Sequence, residues 1–447
     1  MSHSYSNDPR NVDTNKRKEH IESTRPLSYE ENAVVLVTAG HDHTIRMWDA
    51  LKNVCTRSIP YNDSQINRMA LSPDKRYLAV VGNPHVKLYD VFSPSQDSIL
   101  SLEGHKASVT AVEFTNDMSY LATSSEDKTV RWWNLRTGAC EKVLENDSPV
   151  NDLAIIPGDF HDLIATCDQG GNVRVWSIKK KSIVLQLNIN TDPKQITQSV
   201  RTVAVSPDSK LLVAGNNHGK IFVWSLVICP ENIDIEPVQS LKKSDFLVYK
   251  NSINSPINDQ PSYVSATIMC TFVAHPSKYI TKTLFSGNGK LLVTCSADKT
   301  AKVWTFKQVP VAESTISRRT SSEHTPSDTA SKPQPQPTPQ PVYPESHSIN
   351  PSIKSSFDTT FNKTETRLPS SLNDGPRFEF SAEILHELRR HKSWVWDAAF
   401  SNDSGYLVTV SSDKTASLWD MTHGKSIREF VGHEKGVLCV ALNDATI

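Results

Sequence analysis

The sequence predicts an all-β, seven-bladed β-propeller that is closed by its C-terminal strand and carries two long loop insertions. Three observations support this prediction: a motif that recurs seven times, its spacing, and an unpaired strand pattern at each end of the array. The motif is a turn with an Asp, an alternating apolar strand, and an aromatic residue followed by a polar one. Strong copies end at Trp48, Trp133, Trp304 and Trp419, and weaker copies end at Tyr89, Trp176 and Trp224.

The spacing of the motif identifies each repeat as a propeller blade. The first five aromatic terminators follow one another at intervals of about 41 to 48 residues, which is the period of a four-stranded blade. Upstream of most copies, an apolar strand leads into a turn such as Leu71-Ser72-Pro73-Asp74 or Val205-Ser206-Pro207-Asp208. Such a turn between two apolar stretches is typical of a hairpin, so each unit is interpreted as four short strands.

Each end of the repeat array lacks a strand that the other end supplies. Residues Ala33–Thr38 have the pattern of a second strand without a first, whereas Gly436–Leu442 have a first-strand pattern with nothing after it. The C-terminus is therefore predicted to complete blade 1, within a propeller that spans residues 33–444. Such closure removes the exposed sheet edges that an open array would present.

Two insertions break the period. The last three Trp terminators lie about 80 and about 115 residues apart, against a blade period of about 40–45. The excess falls in 230–261 and in 307–377, and the latter is rich in Pro, Ser, Thr and Gln. We expect 307–377 and the polar N-terminal extension 1–32 to be disordered, because they cannot bury enough apolar surface. Both insertions separate a third strand from a fourth, which places them on the face opposite the Asp turns.

Composition and charge argue against several classes of protein. A formal net charge of -1 is unlike the clustered basic charge of nucleic-acid binders, and no apolar run approaches the ~20 residues that span a bilayer. The N-terminus has no apolar segment of the kind found in secretory signals. Seven cysteines without a Cys-x-x-Cys pair are typical of reduced thiols in a cytosolic or nuclear protein. No metal or other cofactor is predicted.

The Asp turns match a hydrogen-bonded unit of WD repeats. In those repeats a His before the first strand, a Ser or Thr on the second strand, the turn Asp and the terminal Trp form a buried chain of hydrogen bonds. The matches are His105, Asp127 and Trp133 in blade 3, His275, Asp298 and Trp304 in blade 6, and His391, Asp413 and Trp419 in blade 7. Because the His–Asp pair recurs without a nucleophile or cofactor motif, we interpret it as structural and predict no catalytic residues.

Several segments resemble one family of WD-repeat proteins. The most specific are His391-Lys392-Ser393-Trp394-Val395-Trp396-Asp397 and Gly436–Asp444, and Thr38–Arg46 and Thr294–Ala301 are similar as well. They resemble the small WD-repeat subunit of TOR kinase complexes, the G-protein β-subunit-like or "lethal with SEC thirteen" family. The resemblance covers all seven blades, whereas the insertions and the N-terminal extension depart from it.

The resemblance implies a non-catalytic scaffold. Members of this family dock on the carboxyl lobe of a large PI3K-like kinase, stabilise it and help to shape access to its active site in both TOR complexes. We therefore expect this chain to bind a TOR-type kinase and other TOR-complex subunits, in support of growth and nutrient signalling. The implied location is cytoplasmic, with peripheral attachment to endomembranes through the complex.

Candidate partner-binding residues lie at or near the starts of innermost strands. Large aromatic side chains at the rim of a propeller face are good interface anchors. For Trp396 the alternative is a wedge against the neighbouring blade, and for the polar candidates it is a solvated surface. The six candidates are Trp394, Tyr279, Trp396, Asn67, Arg68 and Arg201.

Two other functions fit a propeller of this size. One is a different scaffold, either a heterotrimeric G-protein β-subunit or a ubiquitin-ligase substrate receptor. A G-protein β-subunit needs an N-terminal coiled coil, but residues 1–32 show no heptad pattern. A ubiquitin-ligase receptor usually carries an added adaptor-binding motif, and the sequence shows none. The other is a hydrolase. A hydrolase would need several titratable side chains that converge on one site, beyond the repeated His–Asp pairs, and the sequence shows none.

Overall fold

The computed structural model describes residues 34–158, 162–190, 197–228, 264–310 and 378–444. Over these ranges the chain forms twenty-eight β-strands in seven four-stranded antiparallel sheets. One strand of each sheet contacts its counterparts in the two adjacent sheets, and these seven strands form an inner ring. The predicted seven-bladed WD-repeat propeller is confirmed. The described residues contain no helix that is long and apolar enough to cross a membrane.

The strands are numbered in chain order, and each blade is given from its innermost strand outward. Blade 1 contains β28 (Val437–Asn443), β1 (Val35–Gly40), β2 (Thr44–Asp49) and β3 (Val54–Pro60). Blade 2 contains β4 (Arg68–Leu71), β5 (Tyr77–Val81), β6 (Val86–Asp90) and β7 (Leu100–Leu102). Blade 3 contains β8 (Val109–Phe114), β9 (Tyr120–Ser125), β10 (Thr129–Asn134) and β11 (Cys140–Glu145). Blade 4 contains β12 (Val150–Ile155), β13 (Leu163–Asp168), β14 (Asn172–Ser177) and β15 (Ser182–Asn188). Blade 5 contains β16 (Val200–Val205), β17 (Leu211–Asn216), β18 (Lys220–Ile228) and β19 (Val264–Val273). Blade 6 contains β20 (Ile280–Phe285), β21 (Leu291–Ser296), β22 (Ala301–Pro310) and β23 (Phe378–Leu388). Blade 7 contains β24 (Val395–Phe400), β25 (Tyr406–Ser411), β26 (Thr415–Asp420) and β27 (Lys425–Val431).

Each blade is buried at its centre and exposed at its rim. All six residues of β1 and of β13 are buried, because these strands have a neighbour on each side and another blade against each face. A fourth strand such as β3 alternates between exposed and half-buried residues. Continuous apolar runs and alternating patterns are the expected sequences for these two environments.

The ring has two faces, which differ in the loops that open on them. The upper face carries the Asp turns between second and third strands and the segments that lead from one blade to the next. The lower face carries the turns between first and second strands and the connections from third to fourth strands. Leu226, near the end of β18, donates its N–H to the carbonyl of Lys210 beside a lower turn. The first insertion therefore departs from the lower face, as predicted, and β22 ends on the same side by the same topology.

The second insertion begins later than the sequence indicates. Strand β22 runs to Pro310, so residues 307–310 of the range predicted to be disordered belong to a strand. The ammonium of Lys307 lies 2.5 Å from the carboxylate of Glu383 on the adjacent strand. The polar composition suggested a linker, but backbone hydrogen bonds to a partner strand hold such residues in place whatever their polarity. The insertion 230–261, the remainder of 307–377 and the extension 1–32 lie outside the described residues.

The chain closes its own ring. The last strand, β28, pairs antiparallel with the first, β1, so the predicted completion of blade 1 by the C-terminus is confirmed. Strand β1 spans Val35–Gly40 rather than Ala33–Thr38. A Cβ atom at Gly40 would lie 2.1 Å from the carbonyl oxygen of Gly436, so the two ends can approach this closely only with glycine at that position.

The apolar cores lie between adjacent blades, and β28 contributes to two of them. Cys439 belongs to the core between blades 1 and 2. Val440 belongs to the core between blades 7 and 1, where the rings of Trp48 and Phe430 meet edge to face at 5.8 Å. Full burial of one large apolar side chain stabilises a fold by roughly 1.5–3 kcal/mol, so the terminal strand stabilises the ring as well as completing it.

Candidate functional site

Three blades contain the hydrogen-bonded chain that the sequence predicts. In blade 3, His105 Nδ1 lies 2.8 Å from Asp127 Oδ2, and its Nε2 lies 2.8 Å from Thr123 Oγ1. Trp133 Nε1 donates to the same hydroxyl at 2.8 Å. Each polar group is satisfied if Nδ1 carries the proton and the Thr123 hydroxyl donates to Nε2. Blades 6 and 7 repeat this geometry through His275, Thr294, Asp298 and Trp304 and through His391, Thr409, Asp413 and Trp419.

Blade 1 contains a fourth chain of the same kind, which sequence reasoning missed. His433 Nδ1 lies 2.7 Å from Asp42 Oδ2, its Nε2 lies 2.8 Å from Thr38 Oγ1, and Trp48 donates to that hydroxyl. The Gly432-His433 pair before the last strand could have indicated this unit. Its partners Thr38, Asp42 and Trp48, however, lie at the other end of the chain. This unit therefore joins the two chain termini.

The hydrogen bonds also fix the charges of these groups. Burial opposes ionisation of the turn carboxylates, but hydrogen bonds from His, Thr and backbone groups outweigh it and lower the pKa of Asp42, Asp127 and Asp298 to about 2. Burial lowers the pKa of His105, although Asp127 opposes this effect. Every member is engaged by another, so the arrangement supplies rigidity. Within the described ranges, no three His, Cys, Asp or Glu side chains are grouped as metal ligands.

The remaining blades satisfy their turns with other groups. In blade 4 the buried guanidinium of Arg174 takes the place of the His and lies 2.6 Å from Asp168, while Trp176 still donates to Thr166 at 2.9 Å. In blade 5 the side chain of Asn216 accepts hydrogen bonds from two backbone N–H groups of its own turn. Blades 4 and 5 therefore depart from the His–Asp chain of blades 1, 3, 6 and 7.

Three aromatic side chains form a cluster on the upper face, between blades 6 and 7. Tyr279 and Trp394 directly precede β20 and β24, and their rings meet edge to face at 6.1 Å. They are 48% and 39% exposed, respectively. Trp396 lies 5.4 Å from Trp394 and donates its indole N–H to Ser412 Oγ. We call these three residues the aromatic cluster; Trp396 supports Trp394 from within the same blade.

The three polar candidates have different environments. Asn67 donates to Ser108 Oγ and to the carbonyl of Val109, both at 2.9 Å, and so ties blade 2 to blade 3. The guanidinium of Arg68 lies inside the ring, 3.3 Å from Asp397. Asn67 and Arg68 are half-buried and bonded within the propeller, so they do not form the solvated surface that was the alternative to partner binding, whereas Arg201 is exposed. Partner binding by these three residues stays a prediction.

Charged side chains inside the ring connect blades that are not neighbours. Arg68 of blade 2 pairs with Asp397 of blade 7, and Asp397 also accepts the backbone N–H of Val440 in blade 1. Lys282 of blade 6 pairs at 3.1 Å with Asp152 of blade 4. Asp152 in turn accepts the hydroxyl of Thr202 in blade 5. Each pair thus spans three blades. We call the interior of the ring the channel, and the Arg68–Asp397 pair, whose residues lie on either side of blade 1, the channel clasp.

Comparison with known proteins identifies the family. The family model described as "WD domain, G-beta repeat" matches residues 27–49, 96–134, 138–177, 190–225, 266–305 and 382–420. The chain is 36% identical over 279 residues to Target of rapamycin complex subunit wat1 of Schizosaccharomyces pombe, covering 62% of this chain and 76% of that protein. The chain belongs to the LST8/wat1 family of WD-repeat proteins. Two further members of the LST8/wat1 family, Target of rapamycin complex subunit LST8 of Saccharomyces cerevisiae and subunit LST8-1 of Arabidopsis thaliana, are each 32% identical to it, over 284 and 273 residues. They cover 64% and 61% of this chain, which in turn covers 81% and 77% of their lengths.

Proposed function

We propose that this chain is a non-catalytic scaffold subunit that binds and stabilises the kinase domain of a TOR-type PI3K-like kinase. It would serve in TOR complexes 1 and 2 and support growth and nutrient signalling. The relatives named as target of rapamycin complex subunits support this proposal. A cytoplasmic location, with attachment to endomembranes through the complex, is part of the same proposal.

The aromatic cluster is the observation that favours a docking face. Its two exposed rings, Tyr279 and Trp394, stand on the upper face, and both long insertions depart from the lower face. Aromatic side chains that become desolvated at an interface commonly contribute about 2 kcal/mol or more on truncation to Ala. We therefore place the kinase on the upper face, because long loops do not leave from it.

Affinity purification with paired variants tests this function. The tagged chain should capture a TOR-type kinase from its own cells, and Tyr279→Ala with Trp394→Ala should weaken capture by about thirtyfold or more. Tyr406→Ala is a matched control, because Tyr406 is 45% exposed but begins β25 on the lower face. It should leave capture unchanged.

Thermal stability must be measured on the same samples. Loss of Trp394 also removes its ring contacts with Tyr279 and Trp396, which are worth about 0.5–1.5 kcal/mol per pair. A double variant that remains folded and captures the kinase at the parental level would contradict the face assignment. Failure of the parent chain to capture any TOR-type kinase would contradict the proposed function.

A further inference from the structure

The upper face of blades 6 and 7 is basic around the aromatic cluster. Two cations stand in equivalent turns, Lys299 in the turn of blade 6 and Lys414 in that of blade 7, and both have the positive φ of that turn position. Others flank the aromatic residues in the chain, and all of them are exposed: Lys278, Arg389, Arg390 and Lys392. The only carboxylates in these upper turns, Asp298 and Asp413, are hydrogen-bonded to buried His side chains.

This charge is adjacent to the aromatic rings through short backbone connections. Ala297, two residues before Lys299, donates its N–H to the carbonyl of Tyr279 at 3.0 Å. Ser412, two residues before Lys414, donates its N–H to the carbonyl of Trp394 at 3.0 Å. The apolar anchors and the basic turns therefore belong to one continuous surface.

A cleft of about 330 Å³ opens between the two blades on this surface. It is lined by Asp298, Lys299, Thr300, Arg389, Arg390 and His391. Arg389 and Arg390 are already paired with Glu387 and Glu429. Within the described ranges, Lys278, Lys299, Lys392 and Lys414 have no carboxylate within 4.0 Å, so their charges remain available to a partner.

Blades 6 and 7 differ in upper-face charge from blades 1, 3 and 4. In blade 1, Glu434 occupies the position that Lys392 holds in blade 7, since each follows the His and donates its N–H to the turn Asp. In blade 4 the segment that leads into β12 carries Asp147, whose side chain is 91% exposed. Blade 3 carries Lys106 and Lys128 at the equivalent positions, but exposed Glu103 and Glu126 accompany them. Positive charge beside the aromatic cluster, without such carboxylates in the upper turns, favours a partner of complementary charge.

We propose that the upper face of blades 6 and 7 takes an acidic protein segment of the docked kinase, with carboxylates that pair with Lys299, Lys392 and their neighbours around an apolar anchor. This inference rests on the proposed function and specifies the chemistry of the bound surface. Complementary charge at an interface rim chiefly accelerates association and is screened by salt. The aromatic rings supply the affinity, and the lysines select and orient the segment.

Charge reversal with a matched control tests the inference. Lys299→Glu with Lys392→Glu should lower kinase capture about tenfold at ~0.1 M salt, where the Debye length is ~10 Å. At ~1 M salt, where that length is ~3 Å, the two proteins should differ by less than about twofold. Lys106→Glu with Lys128→Glu makes the same changes at the same turn positions of blade 3. This control should capture the kinase at the parental level.

Competition identifies the chemistry of the ligand. Poly-L-glutamate should displace the kinase from the parent chain and fail to affect the residual capture by the reversed variant, whereas inorganic phosphate should have no effect. Displacement by phosphate but not by poly-L-glutamate would contradict an acidic segment and assign the cleft to a phosphate group. If the parent captures the kinase and both double variants behave alike, this inference is wrong while the proposed function stands. If the parent captures none, the proposed function itself is wrong.

Discussion

The channel clasp makes the sharpest prediction about stability. Asp397→Asn keeps the size of the side chain but leaves the guanidinium of Arg68 inside the ring without its countercharge. The two side chains are only 5% and 14% exposed, and their charged atoms lie 3.3 Å apart. At an effective dielectric of about 20, a pair at that separation gains about 5 kcal/mol of Coulomb energy, before the cost of desolvation is subtracted.

Removing one partner of such a pair commonly destabilises a protein by about 3–5 kcal/mol. We expect about 3 kcal/mol for Asp397→Asn, because the introduced amide oxygen can still accept a hydrogen bond from the guanidinium. The assay is equilibrium unfolding in urea, followed by tryptophan fluorescence, together with hydrogen exchange of the amides in β28. Exchange should accelerate first at Val440, whose N–H donates to Asp397.

A double-mutant cycle separates the pair from its surroundings. Arg68→Met combined with Asp397→Leu should recover most of the lost stability, since apolar replacement of a buried pair is often neutral. The exposed pair Lys307–Glu383, with side chains 59% and 50% exposed, is the control, and Lys307→Met should change stability by less than about 0.5 kcal/mol. A coupling free energy below about 0.5 kcal/mol between Arg68 and Asp397 would refute the clasp.

Ring closure, the His–Asp units and one buried carboxylate can each be tested by a change in stability. Deleting residues 432–447 removes β28 and His433, so the product should aggregate; a soluble monomer that melts near the parental temperature would contradict ring closure. Thr409→Val leaves two buried groups, His391 Nε2 and the indole N–H of Trp419, without a partner and should cost about 2–4 kcal/mol in urea unfolding. This is roughly twice the cost of Thr166→Val in blade 4, and equal costs would count against the hydrogen-bonded unit. Burial raises the pKa of the Glu113 carboxyl to about 7, although the N–H of Ile155 and the charge of Lys282 oppose this shift. Glu113 therefore does not destabilise the fold below its unfolded pKa of about 4.5. Its cost to the free energy of unfolding grows as the pH rises from there to about 7. Glu113→Gln should therefore be more stable than the parent at pH 8 by up to ~3 kcal/mol and nearly equal to it at pH 4.5, and a pH-independent difference would exclude this cause.

The parts of the site that depend on local spacing could be predicted from the sequence. The His, Asp and Trp of blades 3, 6 and 7 recur at fixed separations within one repeat, so a single pattern finds all three sets. The corresponding set of blade 1 was missed because Asp42 and His433 come from opposite ends of the chain. Their proximity follows only from ring closure.

The interior of the ring could not be predicted, for two physical reasons. The partners in the channel skip a blade, so no local pattern links Arg68 to Asp397. In addition, inner strands begin with a bulge: Asn67 donates to the carbonyl of Val81, and Arg68 also lies opposite Val81. An extra residue reverses the in-and-out alternation of the strand, so an arginine that the pattern places on the surface points into the channel.

Photo-crosslinking from the two faces shows which face of the propeller contacts the kinase. A benzophenone amino acid replaces Tyr279 on the upper face in one variant and Tyr406 on the lower face in another, at positions 48% and 45% exposed. Each variant is purified with its partners and irradiated, and the adducts are identified by mass spectrometry. We expect a covalent adduct with a TOR-type kinase from position 279 and none from position 406. An adduct from position 406 alone, in a complex that contains the kinase, would contradict it.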